Sequence, residues 1–307
     1  MIIKKNNHLL TRMIIKRWKE NNGLIYEKSV NKSREIVYKD YSKEYYYSLG
    51  AIDDKLENEI SAFETYISKI LVQLNKEITN KKIILNIQDY YILKLYAYLQ
   101  CCRNDNSSPV IKEDETGIYS NNKHLFGVPL IKTPDEAVKI TQEICDEFKK
   151  IKQSDSNKVE ESLFTKSTHL VIVYNNTNSF IISESTAIIE CTIDSNYCIA
   201  FTPVSPKIGL ILADSNYFYD ITRVRYIKHI NSDEYISMVL DDNKLLFNGI
   251  IKGDKICINY VELSNEEIQS LNSILYEDGN NILYSDIEAL INAKKQNPAR
   301  KIVFTLQ

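Results

Sequence analysis

Thr168–Asp214, THLVIVYNNTNSFIISESTAIIECTIDSNYCIAFTPVSPKIGLILAD, decides how the rest of the chain is read. It carries four or five short runs rich in Ile, Val, Phe and Tyr, each broken by Asn, Ser, Thr or Pro. Strands of one sheet read this way when polar turns separate them. HLVIVY, SFIIS, YCIAF and KIGLILA hold too much apolar surface to stand as loops. They are expected to form a central sheet, with helices from either side in the sequence packed against it.

On the N-terminal side, His8–Glu20 reads as an amphipathic helix, with Leu10, Ile14 and Trp18 recurring at spacing four and Gly23 ending it. Leu24–Tyr26 and Glu35–Tyr38 flank a polar NKS turn and predict a hairpin. Ile52–Ile78 is the longest helical signal. Leu56, Ile60, Phe63, Ile67, Ile70, Leu74 and Ile78 keep one stripe apolar, and Asp53 stands at the N-cap position. A second helix runs from Ile87 to about Arg103, with Ile92, Leu95, Tyr96 and Leu99 inward. The short link predicts an antiparallel pair. Residues 104–132 read as a loop. Thr133 then caps a helix opening Pro134-Asp135-Glu136, with Ala137, Thr141, Ile144, Phe148 and Ile151 as its buried stripe. The polar run QSDSNKVEES (Gln153–Ser162) reads as a linker or exposed turn.

On the C-terminal side, TRVRYIKHI, EYISMVL, KLLFNGII and KICINYVEL stay β-like. Ser264 with Glu267 spells a capping box for a helix through Leu275, and Ser285 with Glu288 another for a helix ending near Pro298. RKIVFTL reads as a last strand. The fold class is therefore α+β: a helical N-terminal part packed on a mostly antiparallel β-sheet, with two C-terminal helices. A single domain over 1–307 is expected, with a mainly helical sub-lobe at 1–152 and a mainly β sub-lobe at 163–307.

At 307 residues, 44% hydrophobic and 26% charged, with eight glycines and six prolines, the chain can bury a full core and is not disordered. A net charge of -3 leaves no global nucleic-acid footprint. The first twenty residues are basic but lack the apolar core, roughly 7–15 residues long, of a secretory signal. No apolar run approaches the roughly 18 residues of a membrane span. A cytoplasmic protein is expected, with no membrane partner. The six cysteines form no CxxC pair and are read as reduced structural thiols, although Cys191 and Cys198 could pair across strands.

No glycine-rich phosphate loop, HExxH, GxSxG or zinc spacing is present, and the sequence assigns no cofactor. His8, His124, His169 and His229 lack helical i,i+4 spacing, which argues against a histidine metal site. What remains is a constellation. His8 opens the first helix. Glu57 and Glu64 lie near one face of the long helix, and Gln100 and Arg103 are three apart at the end of the next. An antiparallel pair sets Glu57 near Arg103, with Glu64 about two turns (roughly 10 Å) deeper. Imidazole, carboxylate and guanidinium suit acid/base work and anion stabilisation. The same residues also read as an Arg–Glu bridge stitching two helices. Ser183-Glu184-Ser185-Thr186 and Thr202–Lys207 lie at strand ends, where they read either as site or as turn. The cluster Tyr41–Tyr47, YSKEYYY, could stack on nucleic acid.

These segments resemble a family. The opening NHLLTRMIIKRWKENNGLIYEKS is similar to H-x-x-P-x-x-(aromatic)-L-x-x-F followed by a glycine and a short strand. LENEISAFE resembles the acidic pair of the family's long helix, and LQCCRN its L-Q-x-x-R helix end. FIISESTAI resembles F-I-T-S-D-N-P, TPVSPKIGLIL resembles P-L-S-P-K-L-A-L-L-L, and IQSLNSILYEDGNNILYSD its close. The order of motifs, from about residue 7 to 286, identifies the bacterial domain-of-unknown-function family 4238. The resemblance implies one family-type domain and carries over His8, Glu57, Glu64, Gln100, Arg103, Ser183, Pro203 and Pro206. Thr11 stands where the family has Pro, Glu184 where it has Asp, and Thr186 where it has the following Pro.

Two functional classes remain in view. One is an intracellular enzyme on a phosphodiester or nucleotide, of a toxin or anti-phage type. His8 would be its general acid/base, Arg103 its phosphate clamp, and Glu57 or Glu184 an orienter or metal ligand, with Gln100, Ser183 and Glu64 touching substrate. The other is a non-catalytic module that binds a protein partner. The oligomeric state is left open.

Overall fold

The computed structural model describes residues 6–8, 11–37, 42–44, 55–79, 83–102, 134–155, 159–165, 168–183, 186–192, 197–214, 251–252, 255–258 and 260–295. The caps expected at Asp53 and Thr133, the 104–132 loop, the β-like runs between 222 and 250, and RKIVFTL lie outside them.

The chain opens with β1 (Asn6–His8), α1 (Arg12–Glu20), β2 (Leu24–Glu27), β3 (Lys32–Glu35) and β4 (Ser42–Glu44). His8 therefore ends a strand paired with β4 rather than opening a helix. The helix starts later because Thr11 caps it, its hydroxyl accepting from the Ile14 N–H at 3.2 Å. That role gives a physical reason for Thr where the family has Pro. Gly23 is required for a different reason from the one expected. The positive φ falls on Asn22 (57°), while a Cβ on Gly23 would meet the Trp18 carbonyl oxygen at 2.6 Å. The hairpin exists, but its second strand is Lys32–Glu35, so of NKS only Asn31, at φ 53°, belongs to the turn, while Lys32 and Ser33 enter the strand.

Next come α2 (Lys55–Thr79), β5 (Ile83–Asn86), α3 (Ile87–Cys102) and α4 (Pro134–Gln153). Every apolar position foreseen on α2 from Leu56 to Leu74 is buried. The ring of Phe63 meets Tyr96 edge-on at 6.0 Å, and Tyr66 donates to Asp89 at 2.8 Å. Descending α2 thus ascends α3, which makes the pair antiparallel. The linker between them is a strand, β5, which pairs with β11 (Lys255–Ile258) next to β10 (Ile251–Lys252).

The main sheet holds β6 (Thr168–Tyr174), β7 (Ile188–Thr192), β8 (Tyr197–Pro203), β9 (Ile208–Asp214) and β12 (Tyr260–Glu262), in the order β12-β6-β9-β8-β7. Only β12 against β6 is parallel. Two expectations change here. SFIIS is not a strand of this sheet: Ile182 instead exchanges both main-chain hydrogen bonds with Leu283, at 3.0 and 2.7 Å. The missing place is filled by IIECT, β7, whose Cys191 is the register partner of Cys198. Gly209 admits the Phe201 ring, which would lie 2.4 Å from a Cβ there.

The chain closes with α5 (Asn265–Asp278), β13 (Asn281–Tyr284) and α6 (Ile287–Lys295). The capping box at Ser264 and Glu267 is present. The second box is not what starts α6, because the Asp286 carboxylate accepts from the Glu288 N–H at 2.9 Å. β13, a strand the helical patterns on either side concealed, pairs with β2 and joins the two ends of the chain in one sheet. The architecture is α+β. One continuous apolar core runs from Ile14 to Ala293, with α3 at its centre. α3 is buried on all sides from Ile92 to Gln100, because α2, α4, β5 and the β8–β9 face of the main sheet all pack on it. No helix among the described residues is long and apolar enough to cross a membrane.

Candidate functional site

A helix buried on every side must account for each polar side chain it carries. α3 carries two that are fully enclosed, Lys94 and Gln100, each 1% exposed. Lys94 is satisfied. Its ammonium donates to the Glu161 carboxylate and to the Thr168 carbonyl, and lies 5.7 Å from the centre of the Tyr90 ring. Burial pushes the ammonium's pKa down, against the pull of Glu161. Glu161 belongs to the run expected to be a linker or exposed turn, and next to it Ser162 is buried. That run is anchored to the central helix.

Gln100 is in a different situation. It stands in the last turn of α3, where main-chain carbonyls lose their helical partners. The Thr186 hydroxyl donates to the Gln100 carbonyl at 2.6 Å, and the Thr202 hydroxyl donates to the Thr186 carbonyl at 2.7 Å. One chain of hydrogen bonds thus ties the helix end to both polar strand-end segments singled out in the sequence. The carboxamide does not share in it: among the described residues Gln100 Nε2 is a buried donor with no acceptor.

The segment leading into Ser183 is held rigidly. The Asn272 carboxamide donates to the Ser179 carbonyl at 2.9 Å and accepts from the Ile181 N–H at 3.0 Å. Phe180 donates its N–H to the Pro206 carbonyl at 2.8 Å. Ser183 itself is wholly buried. Thr202–Lys207 serves chiefly as the turn between β8 and β9, with the Ser205 hydroxyl oxygen accepting from the N–H groups of Lys207 and Ile208. Pro203 is the register partner of Gly209 at the end of that hairpin.

Glu57 and Glu64 are half-buried on α2, two turns apart. Ser68 follows Glu64 by one turn on the same face, and its carbonyl accepts from Arg17 Nη2 at 3.3 Å. Arg17 comes from α1, is half-buried, and has its Nε buried without an acceptor. Burial pushes its guanidinium pKa down, partly opposed by Tyr96 and then Glu20. Arg17 is thus held against α2 at Ser68, while the Phe63–Tyr96 and Tyr66–Asp89 contacts set Gln100 at the opposite, Glu57 end of the helix pair.

Of the residues named from the sequence, Gln100 and Thr186 therefore come together, and the antiparallel pair turns the Glu57 end of α2 towards the end of α3. His8 is fixed in β1 by its backbone, three residues ahead of the α1 cap. Arg103 and Glu184 lie outside the described residues. Among the described residues no group of His, Cys, Asp and Glu could hold a metal ion. Sequence reasoning missed Arg17 and Lys94. Arg17 follows buried Ile14 by three, which places it at the margin of the core-facing stripe, and Lys94 interrupts an apolar run too continuous for a one-sided helix.

A family model described as a protein of unknown function (DUF4238) matches residues 6–288, nearly the whole chain. No curated protein and no solved structure matches it.

Proposed function

We propose that the chain, which belongs to the DUF4238 family of proteins of unknown function, is an enzyme acting on phosphodiesters of nucleic acids or nucleotides. The observation that carries this reading is the Gln100 carboxamide, a donor buried without an acceptor where the end of α3 meets the 183–186 segment. Buried donors are nearly always paired, and an exception calls for a specific cause, of which a catalytic or ligand-binding role is one. In this reading Gln100, Ser183 and Glu64 contact substrate. Arg103, three residues beyond Gln100, grips phosphate with a planar fork suited to its oxygens. His8 exchanges the proton, and Glu57 or Glu184 orients the histidine or the nucleophile.

The test incubates the purified chain and its His8→Ala variant with labelled RNA, labelled DNA and nucleotides, each with and without a divalent cation. The wild type is expected to cleave at least one substrate, and the variant to lose about 10²–10⁴-fold in rate. Cleavage of none under any condition rejects the enzyme and leaves the non-catalytic, protein-binding module.

A further inference from the structure

We propose that Cys191 and Cys198 are a redox modification site, a thiol pair that closes reversibly into a disulfide across the β7–β8 hairpin. The observation that carries this is register. The two residues stand directly opposite each other on antiparallel strands, within a ladder that runs from the Ile188–Phe201 pair to the Thr192–Tyr197 pair. Residues so placed share one face of the sheet, with Cα atoms about 4.5 or 5.5 Å apart according to whether the pair is hydrogen-bonded. A disulfide spans roughly 4.4–6.8 Å between Cα atoms, so either arrangement accepts one. A slip of one residue would set the two cysteines on opposite faces.

No other cysteine of a described strand faces a second one, since Cys257 in β11 stands opposite Ile84. Cys101 and Cys145 are buried, and burial pushes the Cys101 thiol up to about 12, which leaves little nucleophilic thiolate there. β7 is an edge strand, with β8 its one neighbour among the described residues. Local opening of that edge admits a small reagent without parting β6 from β9. The oxidant is a small-molecule disulfide of the glutathione class. One cysteine thiolate attacks it, forming a mixed disulfide and releasing one glutathione thiol, and the second cysteine thiolate displaces the other. One S–S bond breaks in the reagent and one forms in the chain, while two electrons and two protons pass to glutathione. The Thr202 hydroxyl already ties β8 to the Thr186 carbonyl just ahead of β7, at 2.7 Å, and Thr186 in turn bonds the end of α3. Oxidation therefore fixes β7 at its loop end as well. This pairing stands independently of the phosphodiester reading.

The full chain is equilibrated in buffers of graded reduced-to-oxidised glutathione ratio, quenched with acid, and its free thiols are labelled with N-ethylmaleimide before digestion and mass spectrometry. The peptide spanning both cysteines is expected to appear unlabelled and lighter by the two thiol hydrogens in the oxidising buffers, and doubly labelled in the reducing ones. The same titration in urea separates register from mere closeness in sequence. The folded chain should close the bond at least about tenfold more favourably than the unfolded one, a difference of about 30 mV. By linkage the oxidised chain should melt a few degrees higher than the reduced one, and Cys198→Ser should abolish that shift. Double labelling at every ratio, glutathione adducts on both cysteines without an internal bond, equal closure in the folded and unfolded chain, or a melting shift that survives Cys198→Ser would each overturn the proposal.

Discussion

Lys94 and Glu161 form an ion pair in which the lysine side chain is 1% exposed and the glutamate 14%. The pair joins the centre of α3 to the 159–165 segment, and the Thr168 carbonyl ties the same ammonium to β6. Taking both charges out of water costs much of what their attraction returns, so the pair specifies geometry more than it stabilises. Glu161→Gln strands the ammonium and is expected to cost about 3–5 kcal/mol in urea unfolding. Lys94→Met combined with Glu161→Gln should recover most of that loss. A double variant as unstable as Glu161→Gln alone would show that the ammonium is not what makes the single change costly.

Asn272 substitutes for a strand by bonding both the Ser179 carbonyl and the Ile181 N–H. Asn272→Ala leaves two buried main-chain groups unpaired, with an expected loss of about 2–6 kcal/mol at roughly 1–3 per group. The segment it holds leads directly into Ser183. Backbone amide exchange at Phe180–Ser183 should therefore quicken by more than exchange in β6. Uniform quickening along the chain would contradict this local role.

Tyr66 donates to Asp89, and burial, then that bond, pushes its hydroxyl pKa up to about 12 from 10.0. Between those values the unfolded chain releases the proton while the folded chain keeps it. This contribution to stability is therefore full below about pH 10 and lost as the pH rises towards 12. Tyr66→Phe should cost about 1 kcal/mol at pH 8. It should also make the decline in stability between pH 10 and 12 shallower. Parallel urea-midpoint curves for wild type and variant across that range would refute the assignment.

Much of the framework was legible in the residues. The α2 stripe, the Ser264–Glu267 box and the runs that became β6, β8 and β9 each depend on local spacing, which sequence displays directly. Most of the differences trace to long-range pairing. Phe180–Ser183 has the composition of a central strand, but Asn272 and Leu283, about ninety and one hundred residues away, claim its main chain. β13 hid between two capped helices because its partner, β2, lies near the other end of the chain. His8 falls outside α1 for a local reason, because the Thr11 cap starts the helix three residues later. At the candidate site, Gln100 and the 183–186 segment were picked out by motif and meet through Thr186. Arg17 and Lys94 escaped because spacing alone does not tell a charged residue at the core's margin, or inside it, from one on the surface.

The central claim, that the end of α3 handles phosphodiesters through the Gln100 carboxamide, is tested most directly by comparing single-turnover cleavage rates of wild type and Gln100→Leu. Leucine keeps the volume and removes the unpaired donor, so the melting point should hold or rise while the rate falls about 10²–10³-fold. Equal rates at equal stability, or no cleavage by the wild type of RNA, DNA or nucleotide, would contradict it.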